Sequence, residues 1–435
     1  AVSAKISAVL RERPKTRWLL VPKGQRPRDL LDPRVVEVAT LDEAAERIFG
    51  EELLTAGPIA GVNIEALIRR GVDLYEKASR FAEADTLFEV ALRAIEAHRK
   101  ELGDSTAHAR DEILARWRLA SSQVHRGKIE AALEAFSRTS ELAEALWEKD
   151  AIEPRLYFGL QSNWAVALRD AWRYDEADAL LTAILGEERR LRVGARELAR
   201  TLGNRGELRT FAGRFENARV DLRASLEALR QAYPDEIPRA LYTLGNLELA
   251  SGNANAARRH YDAGLTRNKA TQTGAARNEV FLRYGRARAY LAEGNAMAAI
   301  ADCDRVLAQA HGDNAYPAQR LLALRGQARL RLGDHTTGHD DLQRAGDAVG
   351  DAGPLLAFGR RLAHAHLAIA LLEENDDAHG ARVAELVEGI AHTMDAVLGL
   401  PTDLAPKLRT QASALPQSAL ALAELLRHTI HLFPY

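Results

Sequence analysis

A short turn recurs eight times along this 435-residue chain, and its near-constant spacing limits the fold more than any other feature of the sequence. Successive turns lie 48, 45, 41, 39, 42, 39 and 42 residues apart. The turns begin at Ser79, Gly127, Trp172, Gly213, Gly252, Gly294, Gly333 and Asn375. A fixed period of this length is typical of repeat proteins, in which each repeat is one supersecondary unit that stacks on the next.

The residues on either side of each turn repeat as well. Apolar residues recur at helical spacing before and after it, which predicts two helices per repeat. The position seven residues before the turn is small except at Val72, and the position five residues after it is always small. The position nine residues after the turn is mostly large and apolar, and it holds Phe88, Phe136, Leu181, Leu222, Tyr261, Cys303, Leu342 and Ala384. Small side chains let antiparallel helices approach closely, and a large side chain then fills the space between neighbouring hairpins.

This order of small residue, glycine-containing turn, small residue and large apolar residue resembles the tetratricopeptide repeat (TPR) family. The resemblance covers about residues 62–395. The usual TPR period is about 34 residues, and the longer period here resembles the variety found in kinesin light chain and in bacterial signalling regulators. The resemblance implies an all-α fold, a right-handed superhelical solenoid of about eight TPR-like helical hairpins with a small α/β segment at the N terminus. We therefore expect an α/β segment at 1–55, the solenoid at 62–395 and capping helices at 396–435.

The first 50 residues follow a different pattern. Two short apolar runs bounded by proline, Leu19–Pro22 and Val35–Val38, predict strands, and helices are predicted around Lys5 and over 41–50. The order of these elements resembles the last stretch of a Lon-type (S16) Ser-Lys protease domain. That resemblance implies that Lys5 stands at the place of the family's general base. The family carries a glycine pair where this chain has residues 2–4, and its nucleophilic serine lies further upstream.

Composition argues against several other classes of function. The formal net charge is -2 and basic tracts alternate with acidic residues, so neither nucleic acid nor a membrane is a predicted partner. The single cysteine, Cys303, excludes an intrachain disulfide, and its place at a large apolar position predicts a core residue.

His335 and His339 lie four residues apart, but His335 falls in a predicted turn, so we expect no metal ion and no cofactor. No apolar run reaches the length of a membrane span and no signal peptide is recognisable, so we expect a cytoplasmic protein. The sequence contains no Gly-rich phosphate loop, HExxH or GxSxG motif, so we expect no enzymatic activity of its own.

The TPR resemblance also implies a binding surface. In that family the first helix of each hairpin lines a concave groove, and the side chains that face the groove lie nine, six and ten positions before the turn. Asparagine and basic residues there often hold an extended peptide, because an amide pairs with both N–H and C=O and an arginine holds a carboxylate with two hydrogen bonds. Carried onto this sequence, the first row gives Arg118, Asn163 and Asn204, the second gives Asn246 and Arg288, and the third gives Trp117, Tyr242 and Tyr284.

The sequence therefore predicts an interaction scaffold that binds a protein or peptide partner. Two other functions are consistent with it. One is the regulatory or substrate-recruiting portion of a Lon-type protease whose catalytic part lies upstream. The other is the sensor module of a bacterial signalling regulator. Neither the partner nor the oligomeric state is defined by the sequence.

Overall fold

The computed structural model describes residues 19–22, 35–38, 64–78, 81–102, 106–125, 128–230, 233–269, 275–308, 315–347, 354–374, 379–395, 404–415 and 419–430. The chain divides into two compact units, Ala1–Ser122 and Gln123–Tyr435. The described residues form eighteen α-helices and one pair of short strands. This confirms the predicted all-α repeat fold with a small strand-containing segment before it. The predicted boundaries at 55, 62 and 396 lie outside the described residues.

Unit 1 begins with the two predicted strands. Strands β1 (Leu19–Pro22) and β2 (Val35–Val38) pair in parallel, with Leu19 opposite Val35. Lys5 and the predicted helix at 41–50 lie outside the described residues. The unit continues with α1 (Ile64–Ala78), α2 (Phe81–Leu102) and α3 (Thr106–His125), whose last residues belong to unit 2.

Close packing in the first hairpin uses a different residue from the one predicted. Phe88 of α2 is fully buried, and a Cβ atom added at Gly71 of α1 would come within 2.6 Å of its ring. Val72, the predicted contact, is only half-buried. The register of α1 against α2 is thus one residue away from the predicted one, which explains why the branched Val72 does not hold the helices apart.

Unit 2 contains the remaining hairpins. After α4 (Ile129–Trp147), six pairs of helices follow in order. They are α5 (Pro154–Asp170) with α6 (Tyr174–Arg190), α7 (Ala195–Phe211) with α8 (Phe215–Arg230), α9 (Ile237–Ala250) with α10 (Ala254–Asn268), α11 (Ala275–Ala292) with α12 (Ala296–Leu307), α13 (Ala315–Arg331) with α14 (His335–Gly346), and α15 (Pro354–Glu373) with α16 (Gly380–Asp395). The helices α17 (Leu404–Ser413) and α18 (Ala419–Ile430) pack on this last pair, as expected for a capping element.

The predicted turns end the first helices in one recurring geometry. Gly213, Gly252, Gly294 and Gly333 have φ between 72° and 85°, and Trp172 has φ of 64°. In each case the next backbone N–H donates to a carbonyl five residues earlier, as in the bond from Arg214 N to Arg209 O at 2.8 Å. This is the helix C-terminal motif that requires a left-handed residue, which glycine adopts without strain.

Small and large positions meet as the repeat pattern predicts. The small residues that follow the turns in α4, α6, α8, α10 and α12 are fully buried, and so is Cys303. The bulkiest of these contacts involves Tyr261 of α10, whose ring lies against two glycines. A Cβ added at Gly245 of α9 or at Gly285 of α11 would come within 2.4 Å of the Tyr261 ring. One side chain therefore fills the space between two consecutive first helices.

Three Arg–Asp pairs, each with a buried aspartate, connect the helices inside their hairpins. Each arginine stands one residue before the small position of a first helix, and its aspartate stands one residue before the large position of the second helix. Two guanidinium nitrogens bond two carboxylate oxygens in each pair, which is the strongest geometry for such a contact. The pairs are Arg205–Asp221, Arg286–Asp302 and Arg325–Asp341, with N–O distances of 2.6 to 2.8 Å.

The remaining nitrogen of each arginine extends this contact to the preceding hairpin. Each Nη1 donates to the residue that follows the large position of the previous second helix. The acceptors are Thr182 for Arg205 at 3.0 Å, Asp262 for Arg286 at 2.7 Å and Asp304 for Arg325 at 2.6 Å. We call these nine residues the Arg–Asp ladder, and they fix both the pairing of helices within a hairpin and the order of neighbouring hairpins.

Candidate protein-interaction surface

The helices of unit 2 form two layers that differ in their contacts. The first helices α5, α7, α9, α11, α13 and α15 each contact the next one in the series. Each second helix packs between the first helix of its own hairpin and that of the following hairpin. The side chains that point away from the second helices therefore share one continuous surface, which we call the first-helix face.

Two of the predicted site residues lie in unit 1, on α3. The Trp117 side chain is buried, with 8% of the residue exposed. The guanidinium carbon of Arg118 lies 4.6 Å from the centre of the Trp117 ring. This is a cation–π contact between neighbours on the helix. Because the ring is covered, Arg118 is the better placed of the two to meet a partner.

The asparagines of the first row lie on neighbouring helices of unit 2. Asn163 of α5 and Asn204 of α7 are both half-buried, and their helices are in contact. The Asn163 amide donates to the carbonyl of Gly159 in its own helix at 2.9 Å. That bond uses one amide hydrogen and leaves the carbonyl oxygen of the side chain as a further acceptor site.

The other four predicted residues come together in one cluster. Tyr242 and Asn246 lie one turn apart on α9, and Tyr284 and Arg288 lie one turn apart on α11. The guanidinium carbon of Arg288 lies 5.7 Å from the centre of the Tyr284 ring. All four side chains are half-buried. They are neighbours because α9 and α11 are adjacent first helices.

Asn246 connects this cluster to the core. The Tyr261 hydroxyl donates to Asn246 Oδ1 at 2.8 Å, and the Asn246 amide is also within hydrogen-bonding reach of the Tyr242 hydroxyl. An amide has two hydrogens and two oxygen lone pairs, so these contacts use half of its hydrogen-bonding capacity. They hold the Asn246 side chain beside Tyr242.

Two residues of the cluster were not predicted. The Phe281 ring lies 5.6 Å from the Tyr242 ring, centre to centre. Arg320 of α13 is close enough for its charge to act on Tyr242. Both stand thirteen positions before a turn, one helical turn earlier than the tyrosine row, so a fourth row at that offset would have included them. Together with Tyr242, Asn246, Tyr284 and Arg288 they form what we call the Tyr242 cluster.

The environment of Tyr242 is apolar enough to keep its hydroxyl protonated. Burial raises the pKa of the Tyr242 hydroxyl above its ordinary value. The hydrogen bond with Asn246 and the positive charges of Arg288 and Arg320 act in the opposite direction but do not cancel the effect. Tyr242 is therefore a neutral hydrogen-bonding group with a rigid aromatic body, beside two arginines.

No protein-family model and no curated protein matches the sequence. Several solved structures are similar in fold. NprR in complex with its cognate peptide NprX matches with a TM-score of 0.48 and 10% identity, over 85% of this chain and 100% of that chain. BtubC (BKLC) from P. vanneervenii matches with a TM-score of 0.42 and 16% identity, over 58% and 95%. Yeast Tom70 matches with a TM-score of 0.29 and 12% identity, over 85% and 99%.

These TM-scores are all below 0.5, so the fold assignment stands on the helix order and contacts of the chain itself. Within the described part of the chain, no helix combines the length and the apolar character that crossing a bilayer requires.

Proposed function

We propose that this protein is a TPR-type interaction scaffold and that its partner is a peptide, or an extended segment of a protein, bound in a groove on the first-helix face. The Tyr242 cluster is the centre of the site. The observation that carries this proposal is the meeting of aromatic and arginine side chains from three consecutive first helices, α9, α11 and α13. Each helix supplies part of the site, so only the assembled repeat presents it.

The composition of the cluster supports binding rather than a solvated surface. Tyrosine and arginine are enriched among the residues that dominate binding energy at protein interfaces. An aromatic side chain offers a large contact area and loses little conformational freedom when it is covered. Tyr242, Phe281 and Tyr284 are already half-buried in the free protein, which lowers the cost of ordering them on binding.

The charges around the cluster favour an acidic partner. Arg200, Arg239 and Arg320 all stand thirteen positions before a turn, and Arg288 lies between the last two along the series of hairpins. The neighbouring acid on the same face, Glu207, is already paired with Arg169 at 3.2 Å. We therefore infer a ligand that places an apolar or aromatic side chain on the cluster and a carboxylate near Arg288.

The test is a selection of peptides from a random displayed library on the full chain, followed by affinity measurements on purified variants. Tyr284→Ala and Arg288→Gln should each weaken binding of the selected peptides by about thirtyfold or more, since hot-spot truncations cost about 2 kcal/mol or more. Met297→Ala is the matched control, because Met297 is 67% exposed on the second helix α12. Peptides that bind Tyr284→Ala and the wild type equally would place the site elsewhere.

A second candidate, the Lon-type protease portion, has one observation in its favour. The strands β1 and β2, at the places where the resemblance has its two strands, are both present and pair in parallel. The test compares peptide hydrolysis by the protein expressed from the complete reading frame with hydrolysis by its Lys5→Ala variant. Hydrolysis that survives Lys5→Ala would contradict the resemblance. If the chain is instead a sensor module, we expect it to bind a signalling partner, and we expect that binding to depend on the same selected peptides.

A further inference from the structure

Three histidines surround one carboxylate at the start of α14, the end of α15 and the start of α16. His335 and His339 lie one helical turn apart at the start of α14. Glu374 follows the last residue of α15, and His379 precedes the first residue of α16. The group lies at the turn end of these hairpins and shares no residue with the Tyr242 cluster, so it is a separate feature of the molecule.

The nitrogen and oxygen atoms of this group lie close together. His335 Nδ1 is 2.8 Å and His339 Nε2 is 3.3 Å from Glu374 Oε1, while His379 Nε2 is 3.2 Å from Glu374 Oε2. The donor atoms of His335, His339 and Glu374 all lie within 4.8 Å of one another. Around a tetrahedral ion with metal–nitrogen bonds of about 2.0–2.1 Å, adjacent ligand atoms are about 3.4 Å apart. The His339–Glu374 separation of 3.3 Å is of that size, the His335–Glu374 separation of 2.8 Å is shorter, and the two imidazole nitrogens lie within 4.8 Å of each other.

We propose that His335, His339 and Glu374 bind a divalent transition-metal ion of the zinc class, and that His379 holds the second oxygen of the Glu374 carboxylate. Two imidazoles and one carboxylate are a ligand set that suits zinc, and imidazole disfavours magnesium and calcium, which prefer oxygen. A fourth position remains open to water. The His379 contact is of the outer-layer kind that orients a metal-binding carboxylate.

A bound ion at this place would join two hairpins. The ligands come from the first turn of α14 and from the residue after the end of α15, which belong to consecutive hairpins. Because the ion would bind the folded arrangement and not the unfolded chain, it would stabilise the C-terminal end of unit 2 by mass action. This is an inference about stability and metal content, and it does not depend on the proposed peptide-binding function.

The experiment uses the full chain without an affinity tag that contains histidine. Zinc binding is measured by competition with a chromophoric chelator, and the melting temperature is followed with zinc and then with excess EDTA. The wild type should bind one zinc ion and melt at a higher temperature with zinc, and EDTA should reverse the shift. His339→Ala should lose at least 100-fold in affinity and all of the zinc-dependent shift. His379→Ala should lose about 10–100-fold, as removal of an orienting partner typically does.

Two further variants keep the test decisive. His335→Ala removes a ligand whose side chain is 55% exposed, so it should fold even if His339→Ala does not. His392→Ala removes an exposed histidine of α16 outside the group and should bind zinc like the wild type. Zinc affinity that is unchanged in His335→Ala, or absent in the wild type, would overturn the proposal. Cobalt(II) gives an independent readout, since a tetrahedral site produces strong visible absorption bands that an octahedral surface site does not.

Discussion

Tyr261 occupies the space that Gly245 leaves open, and a Cβ atom at Gly245 would come within 2.4 Å of Tyr261 Cε1. The same ring lies against Gly285, and its hydroxyl donates to Asn246 at 2.8 Å. The distance between α9 and α11, and with it the geometry of the Tyr242 cluster, therefore depends on one buried tyrosine and the two glycines that accept it.

Gly245→Ala should destabilise the protein even though alanine is the better helix former. The added methyl group overpacks the contact with Tyr261, which typically costs about 1–3 kcal/mol, against a propensity gain of about 1 kcal/mol. Gly186→Ala on α6 is the control, because a Cβ there meets nothing within 4 Å. It should be neutral or stabilising. Urea unfolding gives the free energy of unfolding of both variants. Adding Tyr261→Leu to Gly245→Ala should restore part of the lost stability. Equal stability of the two alanine variants would show that the contact is not tight.

Asp341→Ala should be among the most destabilising single changes in unit 2. The Asp341 side chain is fully buried, and it accepts hydrogen bonds from both Arg325 and Arg329. The change takes the shared carboxylate from both arginines, although Arg325 keeps its bond to Asp304, and loss of one partner of a buried pair costs about 3–5 kcal/mol. Glu134→Ala is the comparison, because its pair with Arg138 is exposed and such pairs contribute about 0.3–0.5 kcal/mol. Similar unfolding free energies for the two variants would contradict a structural role for the Arg–Asp ladder.

Glu188→Gln should stabilise the protein at neutral pH. Burial raises the pKa of the Glu188 carboxyl above its ordinary value of 4.5, and the hydrogen bond from Thr201 only partly offsets this. The folded state therefore binds the proton more tightly than the unfolded state. The stability that the protonated carboxyl contributes is lost as the pH rises through the pKa of this group in the folded state. The advantage of the glutamine variant should grow as the pH rises above about 4.5 and should level off once the pH passes the pKa of Glu188 in the folded state. Melting curves across that range measure it, and a pH-independent difference would argue against a buried ionisable group.

Asn163→Ala combined with Asn204→Ala tests the first row of the predicted site. Both residues are half-buried, and Asn163 bonds only within its own helix turn, so the unfolding free energy should change little. Each lost hydrogen bond to a bound peptide should weaken binding by about 0.5–1.5 kcal/mol. The measurement is the affinity of the selected peptides for the double variant and for the wild type. An unchanged affinity would confine the site to the Tyr242 cluster.

The repeat was predictable from the sequence because its signals are local. A left-handed turn residue, a small side chain and a large one recur at fixed offsets, and Gly213 and Gly252 have the backbone geometry that such turns need. The Arg–Asp ladder was not predictable. Its charged residues stand beside the packing positions. In the sequence alone they cannot be distinguished from residues on a solvated helix face. Glu188 shows the same limit, since it lies in the charged tract over residues 187–192 and is nevertheless only 1% exposed.

The candidate sites divide in the same way. Tyr242 and Tyr284 followed from their shared offset before the turn, but the intrahelical and core contacts of Asn163 and Asn246 depend on side-chain geometry that the offset does not contain. The histidine group needs residues from both hairpins. His335 and His339 are visible as a helical pair, while Glu374 is 39 residues beyond His335 and becomes its neighbour only when the hairpins stack.

The Arg–Asp ladder also decides which hairpins can follow one another. Asp262 and Asp304 stand at equivalent positions of α10 and α12, so a chain that lost the α11–α12 hairpin would still offer Arg325 an acidic acceptor from the hairpin before it. Loss of the α9–α10 hairpin would instead set Arg286 against Arg223, the residue at that position of α8. The ladder contacts are thus interchangeable at one junction and depend on the order of hairpins at the next, so we expect a deletion of α11–α12 to disturb the array less than a deletion of α9–α10.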